Sequence, residues 1–251
     1  MRTHLRTLAV AMAIAAAPAA YAHGDNECNI DSDYDFTIND SALIFERDSG
    51  SPELVEFRQG ELWVDGRRQT LSASDRARVV QFESDARAIV PEAKAIAVEA
   101  IELAGAALEQ VAIAFTTGED RERIISRGNQ LRDQLRERIA AANSTTSFDD
   151  AEFDDAIDEI VESAVPEIVG GVAAMAMKAA FSGDESMISE IEARAEQLEE
   201  TIEREVEARA ELIETRADAL CERVRDLDKI ESQFEFALAG GGSLDLFQME
   251  N

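Results

Sequence analysis

The segment from Ser186 to Phe234 carries one apolar seam that dictates much of what the chain can become. Ile188, Ile191, Ala195, Leu198, Ile202, Val206, Ala210, Ile213, Ala217, Leu220, Val224, Leu227, Ile230 and Phe234 follow one another at intervals of three or four. That spacing places them on one face of a helix. A continuous helix over about 186–234 would be roughly 70 Å long at about 1.5 Å per residue. Such a helix needs a long partner surface. Three consecutive intervals of four surround Val206, a stutter that locally unwinds a left-handed supercoil. Shorter helices of the same chain are the economical partner, because they carry apolar stripes of their own; pairing of two copies is the alternative.

Ahead of the seam the chain divides near residue 72. From Cys28 to Leu71 the apolar pattern has period two, the period of a strand with one wet face. Ile30, Tyr34, Phe36 and Ile38 share one side of a first strand, with Asp31, Asp33 and Asp35 on the other. Short strands follow at Ala42 to Arg47, Leu54 to Arg58 and Glu61 to Val64, and Asp65-Gly66 turns the chain into a last strand ending at Leu71. Asp-Gly suits a type I′ turn, which needs positive φ at both central positions. Beyond Leu71, only two prolines, Pro91 and Pro166, and six glycines occur as far as Gly240, and Ala, Glu, Arg, Leu and Ile dominate. Ser74 is the expected N-cap of a helix to about Val90. Pro91 suits the first position of the next helix, to about Phe115. Further helices are expected over about Glu119–Ala142, Asp149–Val165 and Pro166–Phe181. The expected fold is α+β: residues 23–72 form a small antiparallel meander packed on a mainly helical body at 73–235, with a very long C-terminal helix. Residues 236–251, with Gly240-Gly241-Gly242, are expected to be a flexible tail.

Two Pro-Glu junctions hint at a repeat. Ile89-Val90-Pro91-Glu92 and Ala164-Val165-Pro166-Glu167 each precede an Ala-rich helix, and Thr117-Gly118 and Ser182-Gly183 each close one. Convergent helix punctuation explains the same pattern.

Residues 1–22 read as a secretory signal. Arg2 and Arg6 precede an unbroken apolar run, Leu8 to Ala17, and Ala20-Tyr21-Ala22 is an A-x-A cleavage site. The run is too short to span a bilayer, so no transmembrane segment is expected after cleavage. The chain is therefore expected to be exported. Loss of Arg2 and Arg6 takes the formal net charge from −29 to −31. Phosphates repel such a chain, which excludes nucleic acid and anionic membrane as direct partners. The two histidines are His4, within the signal, and His23, at the mature N-terminus. Ser-His and Cys-His nucleophile systems and His-ligated zinc thus have no residues to use.

The acidic clusters offer little chemistry. Asp31, Asp33 and Asp35 open like a calcium loop, but Phe36 and Ala42 stand where that loop demands Gly and Glu. Asp149, Asp150, Glu152, Asp154 and Asp155 suit a helix N-terminus, where the macrodipole favours carboxylates. Arg121, Arg123, Arg127, Arg132, Arg136 and Arg138 crowd one helix but are nearly balanced by neighbouring acids, the reading preferred over pairing with the acidic C-terminal helix. Gly170 to Met177 is the most apolar stretch of the mature chain and is expected to be a tightly packed core helix. No catalytic, metal-binding or cofactor-binding residue is expected. The expected function is a soluble, non-enzymatic periplasmic protein that binds or scaffolds another envelope protein. The alternatives are a carboxylate-dependent hydrolase of an envelope glycan, or a divalent-cation-dependent binder.

The chain also resembles the YggN-like periplasmic proteins, a domain of unknown function. The resemblance lies in Cys28-Asn29-Ile30, in Gly60 to Gly66 (GELWVDG), in Val90-Pro91-Glu92 and in Leu220 to Asp228 (LCERVRDLD). It implies a periplasmic address in a Gram-negative bacterium and transfers no activity and no site residues.

Cys28 and Cys221 are the only cysteines. An oxidising compartment usually joins such a pair, so an intramolecular disulfide is expected, with free thiols or an intermolecular bond as the alternatives. Cys28 lies beyond the cleavage site with no small-residue lipobox before it, which argues against lipidation.

Overall fold

The computed structural model describes residues 28, 30–148, 151–182, 185–238 and 241–249. The signal segment therefore lies outside the described residues. Among them, seven strands and five α-helices follow in chain order. The strands are β1 (Ile30–Asp31), β2 (Asp35–Ile38), β3 (Leu43–Glu46), β4 (Leu54–Arg58), β5 (Glu61–Val64), β6 (Arg67–Arg68) and β7 (Gln248–Met249). The helices are α1 (Ala73–Phe115), α2 (Gly118–Ala141), α3 (Ala151–Ser182), α4 (Glu185–Thr201) and α5 (Ala208–Glu231), with a π-helical segment at Ile202–Glu207. The fold is α+β, an antiparallel meander beside a mostly helical body.

Strands β2 to β6 pair in sequence order, all antiparallel. Phe36, Phe45, Val55 and Val64 stand opposite one another across four strands. The turns are tight where the residues allow it. Asp65 and Gly66 have φ of 48° and 71°, and Gln59 and Gly60 have 52° and 81°, the positive values a type I′ turn requires. The expected first strand splits in two: Ser32 and Tyr34 exchange hydrogen bonds across a bend, and Ile30–Asp31 pairs instead with β7. The open edge at β2 is covered by the loop after α2, with Ile38 N donating to Asn143 O and Phe36 N to Thr145 Oγ1. Covering an edge in this way blocks pairing with another chain.

The inner face of the sheet meets α1. Val79, Phe82, Ala86 and Ile89 recur at helical spacing and are buried with Leu43, Phe45, Phe57 and Leu62. Phe82 stacks on Phe57 with ring centroids 4.4 Å apart. The helix is also pinned to two hairpin turns. Glu83 Oε2 accepts from Gly60 N at 3.0 Å, and Arg87 Nη1 donates to Asn39 O at 2.7 Å. The start of α1 is capped by Ser72, whose Oγ accepts from Asp75 N, rather than by Ser74.

Pro91 does not begin a new helix. It lies inside α1, which runs 43 residues without interruption, and Pro166 lies inside α3 likewise. A proline within a helix removes one hydrogen bond and crowds the preceding turn. Here tertiary packing on both sides of it outweighs that cost. Before Pro91, Val79 to Ile89 lie in the sheet core; after it, Glu92 pairs with Arg223 and Glu99 with Arg216. These pairs lie seven residues apart on both helices and run in opposite senses, so α5 is antiparallel to α1. The C-terminal seam thus finds its partner within the chain. The C-terminal helix is very long, as expected: α4, the π-helical segment and α5 run on from Glu185 to Glu231, with a change of pitch at Ile202–Glu207. That segment coincides with the stutter around Val206, because a wider turn keeps residues four apart on one stripe.

The tail does not stay loose. Leu244 and Leu246 are buried in the sheet core, Phe247 sets its ring against Phe45 and Phe82, and β7 pairs with β1. Gly241, with φ of 85°, makes the turn into this segment. Gly241, one of the glycines that suggested flexibility, instead permits the reversal. The expected flexible tail at 236–251 is therefore corrected for residues 241–249, which close the core. Leu246 is fully shielded from solvent. Leu246→Ala is expected to destabilise the protein by about 2–5 kcal/mol in urea unfolding; a change near zero would return the segment to the status of a tail.

Candidate functional site

Three features of the described residues bear on function: the disulfide, a set of buried carboxyl groups, and an exposed apolar row. Cys28 and Cys221 are joined, with Cα atoms 5.7 Å apart. Cys28 precedes β1 and Cys221 lies in α5, so the bond ties the approach to β1 to the helix that covers the core.

Asp31 and Asp33 of the acidic run have partners nearby. Asp33 lies 3.7 Å from the Arg47 guanidinium and accepts from Gln248 Nε2, while Asp31 accepts from Ser32 N. Arg47 in turn lies over the Tyr34 ring. Of the second run, Asp149 and Asp150 lie outside the described residues, and Glu152, Asp154 and Asp155 stand at the start of α3. Among the described residues no three His, Cys, Asp or Glu side chains gather closely enough to hold a metal ion. The arginines of α2 turn mainly to other helices: Arg132 and Arg136 to Glu102 of α1, and Arg123 to Glu167 of α3 and Asp120 beside it. The alternative pairing of α2 with the acidic C-terminal helix is not the one formed, since α1 stands against both.

Two buried acids, Asp75 and Glu231, were not singled out in the sequence among the chain's 53 acids. Asp75 is buried at the head of α1. Burial works against its charge, but Glu235 N, the Ser72 hydroxyl and Arg78 together hold its carboxyl below the usual range. The Ser72-x-x-Asp75 spacing was the available signal, a capping pattern. Glu231, at the end of α5, is 4 % exposed. Its Oε1 accepts from Leu246 N at 2.6 Å, while its Oε2 has no hydrogen-bond partner. Burial first, then the charges of Asp245 and Asp228, push its pKa up to about 8 against the pull of the Leu246 and Phe247 N–H groups. Asp228 is itself raised, by burial and then by Asp245. Asp75 and Glu231 both receive backbone N–H groups from the C-terminal segment. They act as anchors for the closing of the core.

The third feature corrects the expectation of a tightly packed helix at Gly170 to Met177. Only one side of α3 is covered. Ile168 packs with Ala112 and Ile124, and a Cβ on Gly171 would come within 2.4 Å of Phe115 O, so no larger residue fits there. The opposite side presents Val165, Val169, Ala173, Met177 and Phe181, each four residues from the last. Val169 is 60 % exposed, Met177 56 % and Phe181 89 %. A helix apolar on every side is ordinarily buried, and that rule pointed the wrong way here. The row spans about 24 Å along the helix.

The architecture defines an α+β protein whose small sheet is closed by two long antiparallel helices and its own C-terminal segment. The model of the family described as Protein of unknown function (DUF2884) matches residues 28–247, and the chain belongs to that family. The match agrees with the resemblance to YggN-like proteins. It begins at the disulfide cysteine and ends at Phe247, so the closing segment lies within the family's own domain. No curated protein and no solved structure matches the chain.

Two predictions follow from the anchors. The disulfide closes a sequence separation of 193. Replacing both cysteines by serine is expected to lower stability by roughly 5 kcal/mol in the chain-entropy account. Equal denaturation midpoints for the oxidised and double-serine proteins would refute it. For Glu231 the folded pKa is the higher one, so its stabilising contribution is complete below about 4.5 and is lost as pH rises to about 8. Glu231→Gln keeps an acceptor for Leu246 N without the charge. It should be more stable than the wild type at pH 9, on the order of a few kcal/mol, and nearly equal at pH 4. Thermal unfolding at the two pH values reads the difference.

Proposed function

We propose that the protein is a non-enzymatic periplasmic binding or scaffolding protein that works through the exposed side of α3. The carrying observation is the row Val165, Val169, Ala173, Met177 and Phe181, left uncovered on a chain of net charge −29. An exposed strip of this kind costs stability against aggregation, which a binding role offsets. The Cys28–Cys221 bond supports the periplasmic address, since disulfides persist in oxidising compartments. No helix among the described residues is long and apolar enough to cross a membrane. The sheet, α1 and α5 then serve as a rigid base that holds α3 out for contact.

Photo-crosslinking in intact cells tests the reading. A photoreactive residue at Met177 is expected to give a discrete protein adduct that the same residue at exposed Glu122, on α2, does not give. The absence of any adduct from Met177, or the same adducts from both positions, would overturn it.

A further inference from the structure

The closing segment is held by few contacts, and one of them is made to a buried carboxyl. Residues 241–249 meet the rest of the molecule through Leu244, Leu246 and Phe247 and through the two-residue pairing of β7 with β1. Ser32 Oγ donates to Leu246 O at 2.8 Å, and Gln248 Nε2 to Asp33 at 3.1 Å. Glu231 adds the bond from Leu246 N. The chain enters the segment through a turn in which Gly241 N donates to Leu238 O and Leu238 N to Gly242 O. A Cβ on Gly241 or Gly242 would meet nothing within 4 Å, so there is room beside the turn for the chain to change direction.

Glu231 is an anchor with one oxygen unused. Its Oε2 is buried without a hydrogen-bond partner, which penalises a carboxylate more than a neutral acid. Asp228 on its own helix and Asp245 on the segment add to that penalty as like charges. Tyr34, in the bend after β1, also feels Glu231 and Asp245, and its hydroxyl donates to Pro52 O. The cations around this end of α5 are engaged elsewhere: Arg47 with Asp33, Arg78 of α1 with Asp75 and Glu235, and Lys229 with Asp226. Departure of the segment would open Glu231 to water and carry Asp245 away, so departure and ionisation favour each other. The rest of the core has its own fastenings. Leu227 and Ile230 hold α5 to the sheet, Glu92–Arg223 and Glu99–Arg216 hold it to α1, and the disulfide holds it to the approach to β1.

We propose that residues 241–249 are a pH-governed latch on the core, closed while Glu231 carries a proton and opened, with α1 and α5 still in place, when that proton passes to solvent. In the closed state the carboxyl has the higher pKa, about 8 against 4.5 for an exposed one, so closing takes up a proton. The open fraction therefore rises about tenfold per pH unit between about 5 and about 8 and levels off above that. Release uncovers Phe45 and Phe82, against which Phe247 sets its ring, and leaves β1 without its strand partner.

Hydrogen exchange in the full mature protein, with its disulfide intact, tests the latch. A peptide covering 241–251 is compared with one covering 79–89 at pH values from about 5 to about 8, with the intrinsic amide rates divided out. The terminal peptide is expected to show an opening constant that climbs about tenfold per pH unit, while the α1 peptide stays better protected throughout. In E231Q the climb is expected to vanish, with the segment still protected at pH 8. Asp245 is exposed, so D245N keeps the core contacts; it should lower the opening constant at pH 8 by roughly threefold. Circular dichroism checks both folds, and D245N decides alone if E231Q does not fold, an unchanged opening constant then counting against the latch. Equal protection of the two peptides, an opening constant independent of pH, or a climb that survives E231Q would overturn the proposal.

Discussion

One apolar sheet face has to be kept from water, and the rest of the molecule is arranged around that need. A five-stranded meander with short strands has no stability of its own until its inner face is covered. Phe45, Phe57, Leu62 and Val64 present that face, and Phe82 of α1 stacks directly on Phe57. A single helix is too narrow to cover it. Leu227 and Ile230 of α5 and Leu244 and Leu246 of the C-terminal segment complete the cover, so residues far apart in the chain share one core. The sheet and the helical body meet in that core, although a change of pattern near residue 72 separates them in the sequence.

This sharing sets the roles of the polar anchors. Ion pairs at Glu92–Arg223 and Glu99–Arg216 stand at the rim, partly exposed, and each contributes little to stability. Their common spacing of seven fixes the antiparallel register of α1 and α5. The buried carboxyls act differently. Asp75 receives Glu235 N and Glu231 receives Leu246 N, so two ends of the closing segment are held by groups already fixed on the helices. Asp75 keeps its charge because three donors meet it, whereas Glu231 faces two further carboxylates and favours the proton.

Beyond the shared core the helices form a second and looser assembly. Ala112, Ile124, Leu108, Ile125 and Ile168 bring α1, α2 and α3 together in a small cluster. It covers only one side of α3. Gly171 lets that helix approach the Phe115 carbonyl closely, which turns Val169, Met177 and Phe181 outward. The shared core thereby lies with the sheet and the disulfide, and the exposed apolar row of α3 stands outside it.

Local chemistry alone determined the strands from Asp35 to Val64, the Asp65-Gly66 turn, the mainly helical character of residues 73–231 and the stutter near Val206. Each follows from side-chain period or backbone freedom over a few residues. The pairing of Cys28 with Cys221 was equally legible, because two cysteines in an exported chain leave few alternatives. Tertiary structure decided the rest. Pro91 and Pro166 read as helix starts, yet both lie inside helices, and packing on both sides carries α1 through Pro91. Gly240 to Gly242 read as the start of a loose tail, yet Leu246 finds a site in a core made by residues some two hundred positions earlier. The apolar run at Gly170 to Met177 read as core, and only the number of neighbours available to α3 shows that one side has none. Period and propensity report which faces are apolar; which of them is covered depends on where the other elements lie.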